Sequence, residues 1–287
     1  MPKVREIPFL TGYTVKPSSV SGVGIVTFTD GTNNITPNQL QCEAYGYTYN
    51  IVTGTCSIFT YNTNLDSNTA NENNRIYGAG NLTQIGTNYT LMMGENNTVK
   101  GSSRNSIITG SNNVIDNGVN NANVSGTLGE STANNSIVLG GNNGTDTLGE
   151  RQSVQLLYGI QTTDGVNTVS FLNNTTDSLF SIPDNTIMYF HADVVAVRVG
   201  GTASTGSGAV GDYASFVERG VIINKSGVLS IQRERDAIKS SGYTSNWQPT
   251  AIVSGTSFAM RVRGDADTIV EWCSNITFTQ IKTGVAL

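Results

Sequence analysis

Charge is scarce in this chain. Of 287 residues only 13% are Asp, Glu, Lys or Arg, and the formal net charge is −5. Nucleic acid and anionic membrane surfaces demand a basic footprint, so neither is an expected partner. Histidine occurs once, at His191, and cysteine three times, at Cys42, Cys56 and Cys273, with no CxxC pair. Zinc sites and histidine-based catalytic sets therefore lack their ligands, and no metal, cofactor or catalytic residue is expected. No stretch approaches the roughly 20 apolar residues of a spanning helix, so membrane insertion is not expected either. The opening residues, Met1-Pro-Lys-Val-Arg-Glu-Ile-Pro8, lack the apolar core of a signal peptide, and export by that route is not expected.

What the chain has instead is a repeat. Arg75-Ile-Tyr-Gly78, Leu91-Met-Met-Gly94, Ile107-Ile-Thr-Gly110, Asn123-Val-Ser-Gly126 and Ile137-Val-Leu-Gly140 can be laid over one another. Gly78, Gly94, Gly110 and Gly126 fall 16 residues apart, Gly140 follows after 14, and paired asparagines such as Asn96-Asn97 and Asn112-Asn113 recur between them. A fixed short period means one supersecondary unit stacked on itself. The apolar stretches are too short for independent strands and show no stripe at helical spacing, while Gly and Asn are poor helix formers. A β-solenoid fits, because stacked coils supply the backbone partners that one short strand cannot. The five glycines are expected at corners with positive φ, which Asn also tolerates, and stacked Asn side chains can bond in ladders along the axis. Between residues 73 and 149, 17 of 77 residues are Asn and seven are charged, so a charged surface is not what keeps this segment soluble.

Five such coils enclose little core, and repeats bury apolar area only against neighbours. Three chains around a common axis would remedy this, with Ile76, Met92, Ile107, Val124 and Ile137 facing the axis. The segments Asn105-Ser-Ile-Ile-Thr-Gly-Ser-Asn-Asn113 and Asn135-Ser-Ile-Val-Leu-Gly-Gly-Asn-Asn143 resemble the head repeats of trimeric adhesins and the similar pattern of trimeric bacteriophage fibre proteins. That resemblance covers about a quarter of the chain and implies a trimeric β-roll. A bacterial trimeric autotransporter would need a signal peptide and a C-terminal membrane barrel. A phage fibre, assembled in the host cytoplasm and carried on the virion, needs neither.

Four regions are expected. Residues 1–41, with Phe9, Tyr13, Pro2, Pro8 and Pro17, read as an extended arm attaching to a capsid or tail protein. Residues 42–72 hold a hairpin whose Tyr45, Tyr47 and Tyr49 share one strand face. Cys42 and Cys56 could pair across it, although reduced thiols suit cytoplasmic assembly better. Residues 73–149 are the β-roll repeats. Residues 150–287 carry strand signatures, among them Ile187–Val199, Tyr213–Arg219 and the alternating Phe258, Met260 and Val262, separated by turns such as Lys225-Ser-Gly227. They are expected to form an antiparallel, jelly-roll-like β-sandwich, with a short helix near Arg233–Lys239 and Cys273 in the core. His191 reads as a sheet histidine. The Gly-rich loop 200–212 lacks the lysine of a P-loop.

The expected function is a structural, non-enzymatic homotrimeric appendage of a phage virion that contributes to host-surface glycan attachment. Tyr243 and Trp247, two rings on a polar loop, are the candidate receptor contacts, since rings stack on sugar faces. The alternatives are a capsid decoration without a receptor, and a polysaccharide-degrading tailspike. The tailspike would need a carboxylate pair, with Asp212, Glu218, Glu234 and Asp236 available.

Overall fold

The computed structural model describes residues 15–22, 24–58, 73–202 and 208–283. Contacts divide the chain into two units, Met1–Leu65 and Asp66–Leu287.

In the first unit, β1 (Lys16–Val20), β2 (Val26–Thr29) and β3 (Asn34–Ile35) form an antiparallel sheet. Helix α1 (Gln39–Ala44) follows, then the hairpin β4 (Thr48–Asn50) and β5 (Thr55–Ser57). Asn38 starts the helix with a capping box: its side chain accepts from Gln41 N at 2.9 Å, and the Gln41 side chain accepts from Asn38 N at 3.0 Å. Val26, Phe28, Cys42 and Cys56 form the buried core, with Tyr45 and Tyr47 edge-on to the Phe28 ring. Several expectations are corrected here. Cys42 and Cys56 form a disulfide rather than two free thiols, because α1 and β5 bring both into that core with Cα atoms 5.7 Å apart. Residues 16–35 contribute a sheet and core residues rather than an extended arm, and the boundary after residue 41 falls inside α1. Tyr45 caps α1 and only Tyr49 lies in a strand, so the tyrosines do not share one strand face. Pro2, Pro8, Phe9, Tyr13 and the stretch 59–72 lie outside the described residues.

The second unit opens as a β-solenoid of about four turns. Each coil gives one longer and one shorter strand: β6 (Arg75–Ala79), β7 (Leu82–Thr83), β8 (Leu91–Glu95), β9 (Thr98–Val99), β10 (Ile107–Ser111), β11 (Val114–Ile115), β12 (Asn123–Thr127) and β13 (Glu130–Ser131), closing with β14 (Ile137–Gly141). The longer strands stack in parallel in one sheet and the shorter ones in another. Register puts Ile76, Met92, Ile108, Val124 and Val138 in one column. That column points into the coil, and from Met92 onward it is fully buried. Ile107 and Ile137 stand one position out of it, on the outer face, 42% and 53% exposed. The five residues expected on a shared axis therefore do not face one way: Met92 and Val124 line the chain's own core, Ile76 stands in the same column at its open end and is 40% exposed, and Ile107 and Ile137 point outward. Val99 and Ile115 fill the core from the second sheet.

The glycines are not corners. Gly78, Gly94, Gly110, Gly126 and Gly140 lie inside strands, and the first four have φ between 90° and 122°. A Cβ on any of those four would collide with the carbonyl oxygen of the glycine in the next coil. The corners belong chiefly to the first or second asparagine of a pair, such as Asn96 and Asn112 (φ 54° and 55°) or Asn121 and Asn135 (φ 57° and 54°). The other member of the pair builds ladders. Asn113 donates from Nδ2 to Asn97 Oδ1 at 3.1 Å and to Gly126 O at 2.8 Å, and its Oδ1 accepts from Gly129 N at 2.8 Å. Asn97 repeats the pattern one coil earlier, on Asn81 and Gly110.

The remaining strands are β15 (Arg151–Thr162), β16 (Thr168–Leu172), β17 (Phe180–Ser181), β18 (Thr186–Gly200), β19 (Tyr213–Lys225), β20 (Val228–Ser240), β21 (Gln248–Ser254), β22 (Ser257–Arg263) and β23 (Ile269–Lys282). Strand β15 pairs antiparallel with β14, so the solenoid sheet continues without a break into the antiparallel order β15-β23-β18-β19-β20. A smaller antiparallel set, β21-β22-β16 with β17, packs on its inner face through Tyr158, Phe190 and Phe278 against Phe258. Phe258, Met260 and Val262 are fully buried, as their alternation requires. The expected helix near Arg233–Lys239 is instead part of β20, an edge strand whose charges suit its open side. Cys273 lies exposed on the outer face of β23 rather than in the core. Among the described residues no helix is long and apolar enough to cross a membrane.

Candidate functional site

The two expected receptor rings do not stand together. Trp247 is only 3% exposed and packs on Trp272 with ring centroids 5.9 Å apart, filling the space between the sheets. It is a core residue, which removes it as a sugar platform. Tyr243 is 53% exposed and remains as a single surface ring. His191 lies on the outer face with Nε2 3.2 Å from Asp193 Oδ1. Asp265 accepts from Asn246 Nδ2 at 2.8 Å, and no cluster of potential metal ligands occurs among the described residues.

A polar cleft lies where edge strand β20 passes the smaller sheet. Its volume is about 450 Å³, and it is walled by Arg233, Glu234 and Arg235 from β20, Gln248 and Thr250 from β21, and Arg261 from β22, with Asn167 at one side. Strand register explains the placement. Arg233 and Arg235 face Gly220 and Glu218 of β19, on the inner face of the sheet. Gly220 has no Cβ, and one there would run into the backbone of Gln232 and Arg233, so β20 lies close only because this residue is glycine. Beneath the arginines, Glu218 is fully buried. Its Oε1 accepts from Arg233 at 3.1 Å and from Ala251 N at 2.8 Å, joining the two sheets, while Oε2 has no partner among the described residues.

The three guanidinium groups are held differently. Arg233 is fixed by Glu218, and Arg235 donates to Gln248 Oε1 at 3.2 Å and Pro249 O at 2.8 Å. The Arg261 side chain makes no hydrogen bond among the described residues, and its Nε is enclosed without an acceptor. An enclosed, unpaired donor costs free energy unless something from outside satisfies it. Glu234 forms an ion pair with Arg219, which also lies 3.4 Å from Asp236. That pair borders a second hollow of about 360 Å³ lined by Tyr189, Val221 and Gln232.

The sequence offers four candidate carboxylates without a geometry, and the structure separates them. Asp212 is a turn residue: Ala209 N donates to its Oδ2 at 2.6 Å, and that bond holds its carboxyl below the usual range. Asp236 pairs with Arg219, and of the four only Glu234 lines the cleft, while Glu218 is buried beneath Arg233. The arginines themselves were missed, because Arg233 and Arg235 share no local motif with Arg261.

No protein-family model matches this chain, and no curated protein matches it. Crystal structures of three phage tailspike proteins are structural neighbours. The Acinetobacter baumannii phage AM24 tailspike is 9% identical, with a TM-score of 0.27, over 74% of this chain and 57% of that one. The tailspike gp49 of Acinetobacter baumannii bacteriophage Fri1, a capsular polysaccharide depolymerase, is 8% identical with a TM-score of 0.22, over 72% and 48%. The Acinetobacter phage vB_ApiP_P1 tailspike is 8% identical with a TM-score of 0.22, over 75% and 49%. The chain thus spans about half the length of these neighbours. The expectation of a non-enzymatic protein is corrected here: a neighbour described as a capsular polysaccharide depolymerase is an enzyme, and that expectation is withdrawn.

Proposed function

We propose that the chain is the subunit of a homotrimeric phage virion appendage that holds host-surface glycan, joined to a capsid or tail protein through its N-terminal unit. The observation that carries the reading is the outer face of the continuous sheet. Tyr77, Met93, Ile107, Ile137 and Leu139 are exposed on the solenoid part, and Leu157, Tyr189, Val195 and Val197 on the antiparallel part. Soluble monomers rarely leave so extended an apolar surface uncovered. Two further copies of the chain are the proposed cover, in keeping with the resemblance of the repeats to trimeric adhesin heads. Three copies of a weak sugar site on one axis would bind by avidity.

A second reading, a polysaccharide-degrading tailspike, starts from Glu234 on the wall of the polar cleft with Glu218 buried beneath it, since glycoside hydrolysis works with two carboxyl groups. One experiment separates the readings. Purified protein is incubated with capsular polysaccharides from Acinetobacter baumannii strains, and retention and new reducing ends are both measured. Retention without release supports attachment, and release supports the enzyme. Neither outcome on any strain leaves a decoration without a receptor and refutes the glycan reading. Light scattering that finds a monomer would remove the trimer.

A further inference from the structure

We propose that the cleft between β20 and the smaller sheet is a subsite for a carboxylate-bearing sugar, so that the glycan held is an acidic one of the uronate type. The inference rests on the glycan reading above and specifies its chemistry. In a chain with a net charge of −5, three arginines converge on one cavity that carries a single lining carboxylate, Glu234. Guanidinium groups match carboxylates in planar, two-bonded geometry, which makes Arg the residue for this recognition. Arg233 and Arg235 are held in place by Glu218, Gln248 and the Pro249 carbonyl. Arg261 is the uncommitted member, with its Nε enclosed and unpaired. Its terminal Nη groups are not enclosed, and a ligand carboxylate in the cleft would pair with them.

The other walls fit the rest of a sugar ring. Asn167, Gln248 and Thr250 offer neutral donors and acceptors, and Glu234 offers an acceptor for hydroxyl protons. A volume of about 450 Å³ lies within the range of small-ligand sites. A bare phosphate would neither fill it nor use the neutral wall.

The test is calorimetric titration of the full chain with short oligogalacturonates, neutral dextran oligosaccharides and inorganic phosphate. Oligogalacturonate should bind, more weakly as salt rises, and at least tenfold more tightly than phosphate, while dextran should not bind. Arg261→Gln should weaken oligogalacturonate at least tenfold without lowering the melting temperature, since no internal bond is lost. Arg261→Lys should recover only part, because a point charge cannot form the paired contact. Arg235→Gln is the second variant and should also weaken binding. Equal binding of dextran, equal or tighter binding of phosphate, no binding of oligogalacturonate, or full binding by Arg261→Gln would each overturn the proposal. The attachment reading fails separately, by loss of retention on every capsular polysaccharide. Retention on neutral capsules alone would sink this inference and leave attachment standing.

Discussion

Asn112 and Asn113 are chemically identical neighbours with different tasks, and replacing each in turn tests the physics of the coil. Asn113 is fully buried and its side chain joins three coils. Asn113→Ala would leave Gly129 N, which is buried, without its 2.8 Å acceptor, and would remove the donors to Thr109 O, Gly126 O and Asn97 Oδ1. An orphaned buried donor costs about 1–3 kcal/mol and each further lost bond about 1 kcal/mol, so a loss of about 3 kcal/mol is expected after partial relaxation. With a denaturant slope of about 2 kcal/mol per molar urea, the unfolding midpoint should fall by about 1.5 M. Asn112 instead holds a left-handed corner at φ 55° and makes no side-chain hydrogen bond among the described residues. Asn112→Gly should therefore stay within a few tenths of a kcal/mol, whereas Asn112→Val should lose about 1–2 kcal/mol through its branched Cβ. Urea unfolding followed by circular dichroism at fixed protein concentration reads all three. Equal midpoints for Asn113→Ala and Asn112→Gly would refute the division of labour.

Three other substitutions and one treatment have defined outcomes. Ile108→Asp should abolish folding by burying a charge in the solenoid core, whereas Ile107→Asp should give a folded chain that no longer associates; circular dichroism and light scattering distinguish them, and unfolding by both would refute the register. Burial raises the Glu130 carboxyl above its usual range, with Asp116 adding to the rise and Lys282 and Lys100 opposing it. The folded state thus holds that proton more tightly than the unfolded chain, and stability is lost as pH rises from the ordinary carboxylate range through the folded value. Glu130→Gln should accordingly stabilise the protein at neutral pH and give no such gain in acid, as thermal melts across pH will read. Reduction of Cys42–Cys56, 14 residues apart, should cost the first unit about 3 kcal/mol and appear as faster amide exchange in residues 24–58.

Much of the solenoid was legible because its physics is periodic. Adding the period of 16 to Ile76 gives Met92, then Ile108, then Val124, and that is the buried column. Choosing Ile107 and Ile137 for the core departed from this arithmetic. In each case two apolar residues are adjacent, so composition alone does not say which faces in. The glycines illustrate a different limit. Their positive φ was readable, but its cause lies in the glycine carbonyl of the neighbouring coil, which only stacking brings near. Strand β20 was misread because an edge strand rich in charge has no apolar alternation to report. The helix α1 carries a local signal in its sequence, the pair Asn38 and Gln41 of a capping box. The Arg cleft had none, since it depends on β20 and β22 meeting across the sheets.

The junction at β14 and β15 links these observations. A stack of coils needs an end that will not pair further, and the last parallel strand here is covered by an antiparallel one. Asn142 fits the change of direction: it donates to Arg151 O at 3.0 Å and accepts from Arg151 N at 2.7 Å, adding bonds to β15 to those it makes with Thr127 O and Leu128 O of the preceding coil. Gly140, the one repeat glycine without positive φ, sits at this same boundary, where its strand partner is Gln152 rather than a further glycine. The irregular last period, 14 residues instead of 16, is therefore a structural change rather than drift in the repeat. The sequence departs from its own rule at the coil where the chain stops stacking and begins the sheets that carry the cleft.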